Sequence, residues 1–225
     1  MKKLLLFAAI AAFSSCSSDD NNTDANSKLK LKSITNNDGH REFIYGTNGF
    51  VSEIKFTTTN GIEYTTLYTY NGNTLTGVTY KENNTTFQEL KYTYNNSYIT
   101  KAEGKIDEYP FVRLYSYDSS NNIIKEEYSI GGDVGKVDTF VYQNGNVINR
   151  TINIIDGETY SVSYKYDDKN NPFKNTFPDA FLKVLYEGKN NKVDIAGNVI
   201  NHEYNKDGFP TISDDKESKT TYIYY

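Results

Sequence analysis

The residues that do general acid–base chemistry near neutral pH are scarce in this chain. It has two histidines, the side chain that titrates closest to pH 7. His40 lies in the polar turn Asn37-Asp38-Gly39-His40, and His202 sits in a strand-like run beside Glu203. Both read as structural. The one cysteine, Cys16, follows an N-terminal apolar run, and two histidines without a mature thiol do not make up the ligand set of a structural zinc site. Acidic pairs occur at Asp167-Asp168 and Asp214-Asp215. Adjacent residues on a strand point to opposite faces, so neither pair is a ready acid/base couple. In turns they could contribute oxygens to calcium, but neither has the spacing of an EF-hand loop, and solvated carboxylates are the simpler reading. A glycosidase could use carboxylates distant in sequence, and nothing singles out such a pair. Gly131-Gly132-Asp133-Val134-Gly135 lacks the Lys-Ser/Thr that completes a phosphate loop, and a hairpin explains it. The expectation is a protein with no catalytic site, no metal and no cofactor.

The N-terminus carries the clearest signal. Lys2 and Lys3 precede an apolar run from Leu4 to Phe13, ten residues long. A helix that spans a bilayer needs roughly 20 such residues, whereas a short run behind positive charge is the core of a signal peptide. Phe13-Ser14-Ser15-Cys16 resembles the lipobox of bacterial lipoproteins, with Phe where Leu is commonest. The resemblance implies cleavage after residue 15 and acylation of Cys16, each buried methylene contributing about 0.8 kcal/mol to membrane anchoring. Residues 16–28 then read as a flexible tether, because Ser17-Ser18-Asp19-Asp20-Asn21-Asn22-Thr23-Asp24 has nothing to bury. Its acidic residues resemble the surface-export signal of Bacteroidota-type lipoproteins. Loss of Lys2 and Lys3 leaves 22 basic against 29 acidic residues, a mature charge of −7. That balance argues against nucleic acid, which is held by clustered Lys and Arg, and against electrostatic adhesion to anionic lipid.

Residues 29–225 form one repetitive domain. An aromatic-x-aromatic pair recurs as Phe43/Tyr45, Tyr68/Tyr70, Tyr92/Tyr94, Tyr115/Tyr117, Phe140/Tyr142 and Tyr164/Tyr166, at intervals of about two dozen residues. A later unit ends at Tyr204 after a longer gap, and Tyr222/Tyr224 repeats the pair at the C-terminus. Each pair sits in a run of period two, such as Leu90-Lys91-Tyr92-Thr93-Tyr94, the pattern of a strand with one buried face. The tyrosine face is read as inward, its hydroxyls needing partners near the rim of the core. Turn chemistry follows. Gly49, Asn121, Asn170 and Gly208 stand four residues after Tyr45, Tyr117, Tyr166 and Tyr204, where Gly or Asn suits positive φ. Asp118 and Asp167 can cap their turns. Gly72 and Gly145 come sooner after Tyr70 and Tyr142, and Tyr94 has Tyr98 at the fourth position, a departure.

These units resemble the YD repeat of RHS-type bacterial surface proteins, best at Tyr115-Ser116-Tyr117-Asp118 and Tyr164-Lys165-Tyr166-Asp167. The chain as a whole resembles small YD-like lipoproteins of Bacteroidota. The resemblance implies an all-β, antiparallel meander of repeated hairpins forming a curved sheet or open barrel. It does not carry over the toxin-enclosing role of RHS shells, for which this chain is too short. The repeat breaks once, where Pro178, Asp179 and Gly188 frame a short helix near 178–186 whose Phe177, Phe181, Leu182 and Leu185 would plug the core. The functional expectation is a lipid-anchored outer-membrane protein, displayed at the cell surface or facing the periplasm. It would act as a binding or scaffolding module for a glycan or another envelope component. The alternatives are a carrier of an apolar ligand and an outer-membrane assembly accessory.

Overall fold

The computed structural model describes residues 29–106 and 108–225. Cys16, the signal peptide 1–15 and the tether 16–28 up to its last residue lie outside the described residues. The strands are β1 (Leu31–Asn36), β2 (Gly39–Tyr45), β3 (Val51–Thr58), β4 (Glu63–Asn71), β5 (Thr74–Glu82), β6 (Thr85–Asn95), β7 (Tyr98–Ile106), β8 (Tyr109–Tyr117) and β9 (Ile123–Ile130). They continue as β10 (Asp133–Gln143), β11 (Asn146–Ile154), β12 (Thr159–Tyr166), β13 (Lys192–Ile195), β14 (Asn198–Val199), β15 (Asn201–Tyr204), β16 (Pro210–Asp214) and β17 (Lys219–Tyr224). One helix, α1 (Asp179–Val184), lies between β12 and β13. Antiparallel ladders join each strand to the next from β1 to β14 and again from β15 to β17. β17 pairs back onto β1, from Leu31↔Tyr224 to Thr35↔Thr221. The all-β meander is therefore a nearly closed barrel, interrupted only where β14 passes to β15.

The two aromatics of each repeat have different tasks. The second reaches the neighbouring strand at one end of the barrel. Strands β3 and β4 are last paired there at Glu53↔Leu67 and then splay, and the Tyr70 hydroxyl donates across the gap to the Val51 carbonyl at 2.7 Å. Tyr45 does the same to Leu31, Tyr94 to Leu75, Tyr117 to Ile99, Tyr166 to Val147 and Tyr224 to Pro210, all at 2.7–2.8 Å. The acceptors open their strands with buried side chains, and Val51, Leu75, Ile99, Ile123 and Val147 recur every 24 residues. This end is thus sealed by an aliphatic ring whose carbonyls are tied by phenols. Tyr70→Phe keeps the ring and removes the tie; it is expected to cost about 1 kcal/mol in urea unfolding, the net worth of one hydrogen bond. An unchanged midpoint would show that the splayed strands need no bridge.

The turns behind these tyrosines share one backbone pattern. Gly46, Asp118 and Asn205 each donate their N–H to the carbonyl four residues on (Phe50, Asn122, Phe209) at 2.8–2.9 Å. Gly49, Asn121 and Gly208 hold φ of 85°, 64° and 74°. Tyr70, Tyr94 and Tyr142 lead instead into shorter hairpins, where Gly72, Asn96, Asn144 and Gly145 take positive φ. The departure at Tyr98 is therefore a difference of loop length, with Tyr98 already the first residue of β7.

Candidate functional site

The long segment between β12 and β13 is an insertion into one of these turns. In the β8–β9 turn, the Asp118 N–H meets the Asn122 carbonyl, and Asp118 Oδ1 accepts the Asn122 N–H at 2.8 Å. In the β12–β13 turn, the Asp167 N–H meets the Asn191 carbonyl at 3.0 Å, and Asp167 Oδ1 accepts the Asn191 N–H at 3.1 Å. A closure over four residues has become one over 24, with the same bonds at its neck. Asn170 consequently does not take the left-handed conformation that its place after Tyr166 suggests; its N–H and amide bond Gly208 and Asp207 in the next turn.

The inserted residues fold back into the barrel as a plug. Phe177, Phe181, Val184 and Tyr186 are buried, while Leu182 and Leu185 are partly so. Their collar is the first aromatic of each repeat: Phe173 meets Phe43, Phe177 and Phe181 meet Tyr68, Phe181 meets Tyr92, and Tyr186 stacks on Phe140 at 4.3 Å. Pro178 caps α1 from outside rather than opening its first turn, and the helix ends before Gly188. Tyr186 takes φ 56°, with Glu187 N–H on the Leu182 carbonyl and Tyr186 N–H on the Lys183 carbonyl. That is a Schellman stop, with tyrosine where glycine is usual. The strain of about 1–2 kcal/mol is offset by burying the ring and by the bond from its hydroxyl to Glu126.

Below the plug the barrel wall becomes charged. Two residues before three of the aromatic pairs stand Arg41, Arg113 and Asp138, on the same inward face. Arg113 donates to Glu126 Oε1 at 3.1 Å, whose second oxygen accepts from Tyr186. Asp138 Oδ2 accepts from Lys136 at 3.0 Å and from Arg150 Nε at 3.2 Å, as well as from Arg150 Nη2. Both carboxylates are sealed from solvent, yet Arg113 has 42 % of its side chain exposed and Lys136 28 %. Arg113 lies between the buried Phe111 and Tyr115 on β8, and burial penalises its charge more than any other influence on it. Exposure inside such surroundings marks a solvent-filled hollow. Arg41 stacks on Phe56 at 4.0 Å and has a buried Nη1 without a hydrogen-bond partner; Asp138 Oδ1 has none either. Tyr128 lies under the Arg113 guanidinium at 5.2 Å. The hollow opens at the end opposite the plug, where Tyr109, Ile130, Ile154 and Tyr160 form an exposed apolar rim.

A second buried pair joins the plug to β13. Burial holds the Glu187 carboxyl well above the usual carboxylate range and pushes the Lys192 ammonium down to about 8, each partly counteracting the other. Lys192 occupies the place where other repeats put an aliphatic, and its carbonyl accepts from His202 Nε2 at 2.8 Å. A carbonyl only accepts, so Nε2 carries the proton. With the Tyr204 bond to Asp167, this contact bridges the break between β14 and β15. His40 bonds only Thr35, and Asp168 and Asp215 are exposed. Among the described residues, no group of three or more His, Cys, Asp or Glu stands where it could hold a metal ion.

The outer wall carries ion pairs between and along strands, Lys101–Glu103, Lys125–Glu127 at 2.8 Å and Lys165–Asp194 at 2.8 Å. A barrel that crosses a membrane presents an apolar band there, and a central lysine in lipid costs about 2–4 kcal/mol. The same wall exposes Leu114, Ile124, Val141 and Ile223 among these charges.

Similarity to known proteins lies in the fold. The chain is similar to the crystal structure of a porin-like protein from Bacteroides uniformis, with a TM-score of 0.59 and 12% identity over 88% of this chain and 96% of that one. It also matches part of the Photorhabdus luminescens Tc holotoxin pore, with a TM-score of 0.36 and 14% identity over 78% of this chain and 11% of that one. No protein-family model matches the sequence, and no curated protein does.

Proposed function

We propose that this chain is a lipid-anchored binding module of the bacterial outer membrane, whose site is the open end of its barrel. The observation that carries this reading is the hollow: solvent-exposed cations inside a barrel whose opposite end is plugged. The anchor sets its direction. Leu29 and Lys30 lie at the plugged end, where Lys30 Nζ donates to the Gly49 carbonyl at 2.6 Å and Asn175 donates to the Leu29 carbonyl. A tether running from there to an acylated Cys16 points the open end away from the bilayer. The ion pairs on the outer wall agree with a barrel standing off the membrane, and the fold shared with a porin-like Bacteroides protein agrees with an envelope setting.

An apolar carrier is the weaker alternative, because the plug fills the apolar half of the barrel. The cavity beside it, lined by Phe140, Val147, Arg150, Tyr164, Tyr186 and Lys192, has a volume of about 10 Å³, room for one water and not for an acyl chain, and the larger one at the plugged end, about 520 Å³, is lined mainly by polar turn residues such as Gln143, Asn144, Asp167 and Asn190.

The test has two parts. Acyl-probe labelling of the full chain in a bacterial host is expected to mark it, and Cys16→Ser is expected to abolish the mark; a labelled Cys16→Ser protein would overturn the anchor. Immobilised residues 29–225 are expected to retain a component of envelope glycan fractions. No retention from any fraction would overturn the module, and retention of an outer-membrane protein instead would favour an assembly accessory.

A further inference from the structure

We infer that the lip of the open end binds an extended, basic segment of a partner protein, which adds as a strand to the free edge of β12. The barrel wall has a notch there. β12 pairs with β11 from Thr159 to Ser163, but with β13 only from Tyr164 to Tyr166. The β13–β14 hairpin is too short to follow β12 further, and the Ala196 N–H at its tip donates to the Ser163 carbonyl at 2.9 Å. Backbone groups alternate sides along a strand, so Ser161 and Thr159 turn their N–H and C=O to the same side as Ser163, past the hairpin tip. Among the described residues, no strand pairs with that stretch of edge. Sheets ordinarily guard a free edge with charge, proline or a bulge. Thr159-Tyr160-Ser161-Val162-Ser163 has neither charge nor proline. The Thr159 and Ser161 hydroxyls bond back to Asn153 and Thr151 on β11, which leaves the edge clear. It lies above the hollow and is free whether or not a ligand enters there.

Three neighbouring hairpins build the lip beside this edge. The Gly131 N–H donates to the Pro110 carbonyl at 2.8 Å and the Ile155 N–H to the Gly135 carbonyl at 3.0 Å, which sets the β7–β8, β9–β10 and β11–β12 tips side by side. Tyr109 and Tyr160 are 66 % and 48 % exposed on them, with Ile130, Val134, Ile154 and Ile155 exposed in between. A contiguous apolar surface of this kind marks a docking site, and its charge says what docks. Glu108, Asp133, Asp156 and Glu158 are exposed on the same tips and form no ion pair among the described residues. The cations of these strands do not offset them. Lys101, Arg113, Lys125, Lys136, Arg150 and Lys165 are each held by a carboxylate of their own, which among the described residues of β7–β12 leaves Lys105. The flanking turns do not reverse the sign either. Lys81 matches Glu82 beside the β5–β6 turn, and across the notch Asp214, Asp215 and Glu217 outnumber Lys216 and Lys219. A segment that alternates basic and apolar residues satisfies all three features. Its main chain bonds Thr159 and Ser161, its apolar face covers the lip, and its cations meet the carboxylates. A second copy of this chain would bring the same acidic tips and be repelled.

The experiment titrates residues 16–225 carrying Cys16→Ser, which bears no acyl chain, with a fluorescent octapeptide of alternating lysine and valine, read by anisotropy. The same peptide with glutamate in place of lysine, and the lysine peptide N-methylated throughout, are each expected to bind at least about tenfold more weakly. Ser161→Pro removes an N–H that faces the notch and leaves the ladder to β11 intact, a position where a strand tolerates proline. It is expected to weaken the lysine peptide at least about tenfold. Asp156→Asn/Glu158→Gln changes only exposed turn residues, so it keeps the test sharp if Ser161→Pro does not fold. It is expected to weaken the peptide about tenfold and to reduce the salt dependence of binding. Equal affinity for the glutamate peptide would overturn the charge assignment. Equal affinity for the N-methylated peptide, or undiminished binding by a folded Ser161→Pro protein, would overturn strand addition. No binding of the lysine peptide would overturn the site, and a dimer in sedimentation that Ser161→Pro dissociates would give the edge to a second copy instead.

Discussion

Raising the pH from about 9 to about 11 is expected to unfold the barrel in one cooperative step, because its core is built from phenols that cannot ionise in place. Burial lifts Tyr68, Tyr92 and Tyr186 well above the ordinary tyrosine range, and pushes Tyr80, Tyr94 and Tyr222 up to about 12. Tyr45, Tyr70, Tyr115, Tyr204 and Tyr224 are raised further still. The unfolded chain ionises its phenols near 10, so between 10 and these raised values the native state binds more protons. Stability is therefore complete below pH 10 and is lost as pH rises above it. One pH unit past 10, each buried phenol opposes folding by about 1.4 kcal/mol. Tyr115, Tyr186 and Tyr222, the buried ones among these, together oppose it by about 4 kcal/mol, and the partly buried Tyr68, Tyr80 and Tyr92 add to that, a large share of the stability of a domain this size. Lys192 works the other way but earlier: held at about 8 in the fold and 10.5 outside it, it adds stability between those values and nothing beyond. Tyrosinate absorbance and far-ultraviolet circular dichroism are expected to change together, in a transition steeper than the titration of a single phenol. Gradual tyrosinate formation with the sheet signal intact would show that the rings reach solvent, and would undo the account of the core.

The alternation that makes those rings internal is what the sequence displays best. Period two places Tyr68 and Tyr70 on one face, and the interval of about 24 residues announces a repeated hairpin, which is why the antiparallel meander was legible. Closure was not. β1 and β17 meet through Leu31 and Tyr224, residues 193 positions apart that carry no mark of each other. The division of labour within each aromatic pair was hidden too, since a clamp and a collar use the same side chain. The plug read as a helix because Phe177 and Phe181 are four apart, but its docking depends on the Asp167–Asn191 neck, and only comparison with Asp118–Asn122 reveals it. The charged hollow was missed although its signal was present. Arg41, Arg113 and Asp138 sit two residues before an aromatic pair, and parity alone puts them inside. They passed unnoticed because charged residues are ordinarily assigned to the wet face.

Arg150→Met is expected to destabilise the barrel by about 3 kcal/mol, the second large effect, because it leaves a fully buried carboxylate with Lys136 as its one remaining partner. Asp138 is fully buried, and all its bonds fall on one oxygen: two from Arg150 and one from Lys136. Its other oxygen has no partner, so the group already lives on the minimum of compensation. Methionine keeps much of the arginine stem and loses the guanidinium, which bonds Asp138 and stands 5.8 and 5.5 Å from the Phe140 and Tyr186 ring centres, so the loss reports mainly on charge. The double variant Asp138→Asn/Arg150→Met separates the two causes. It removes the stranded charge and is expected to recover most of the loss, leaving about 1 kcal/mol for the missing hydrogen bonds. Urea unfolding of the four proteins closes the cycle. If the double variant is as unstable as Arg150→Met alone, the arginine matters for packing and not for Asp138. If Arg150→Met costs under about 1 kcal/mol, water already solvates Asp138 and the hollow runs deeper toward the plug than its exposed side chains show. In the expected case the carboxylates hold the cations in place from behind, and the wall a ligand meets is set before any ligand arrives.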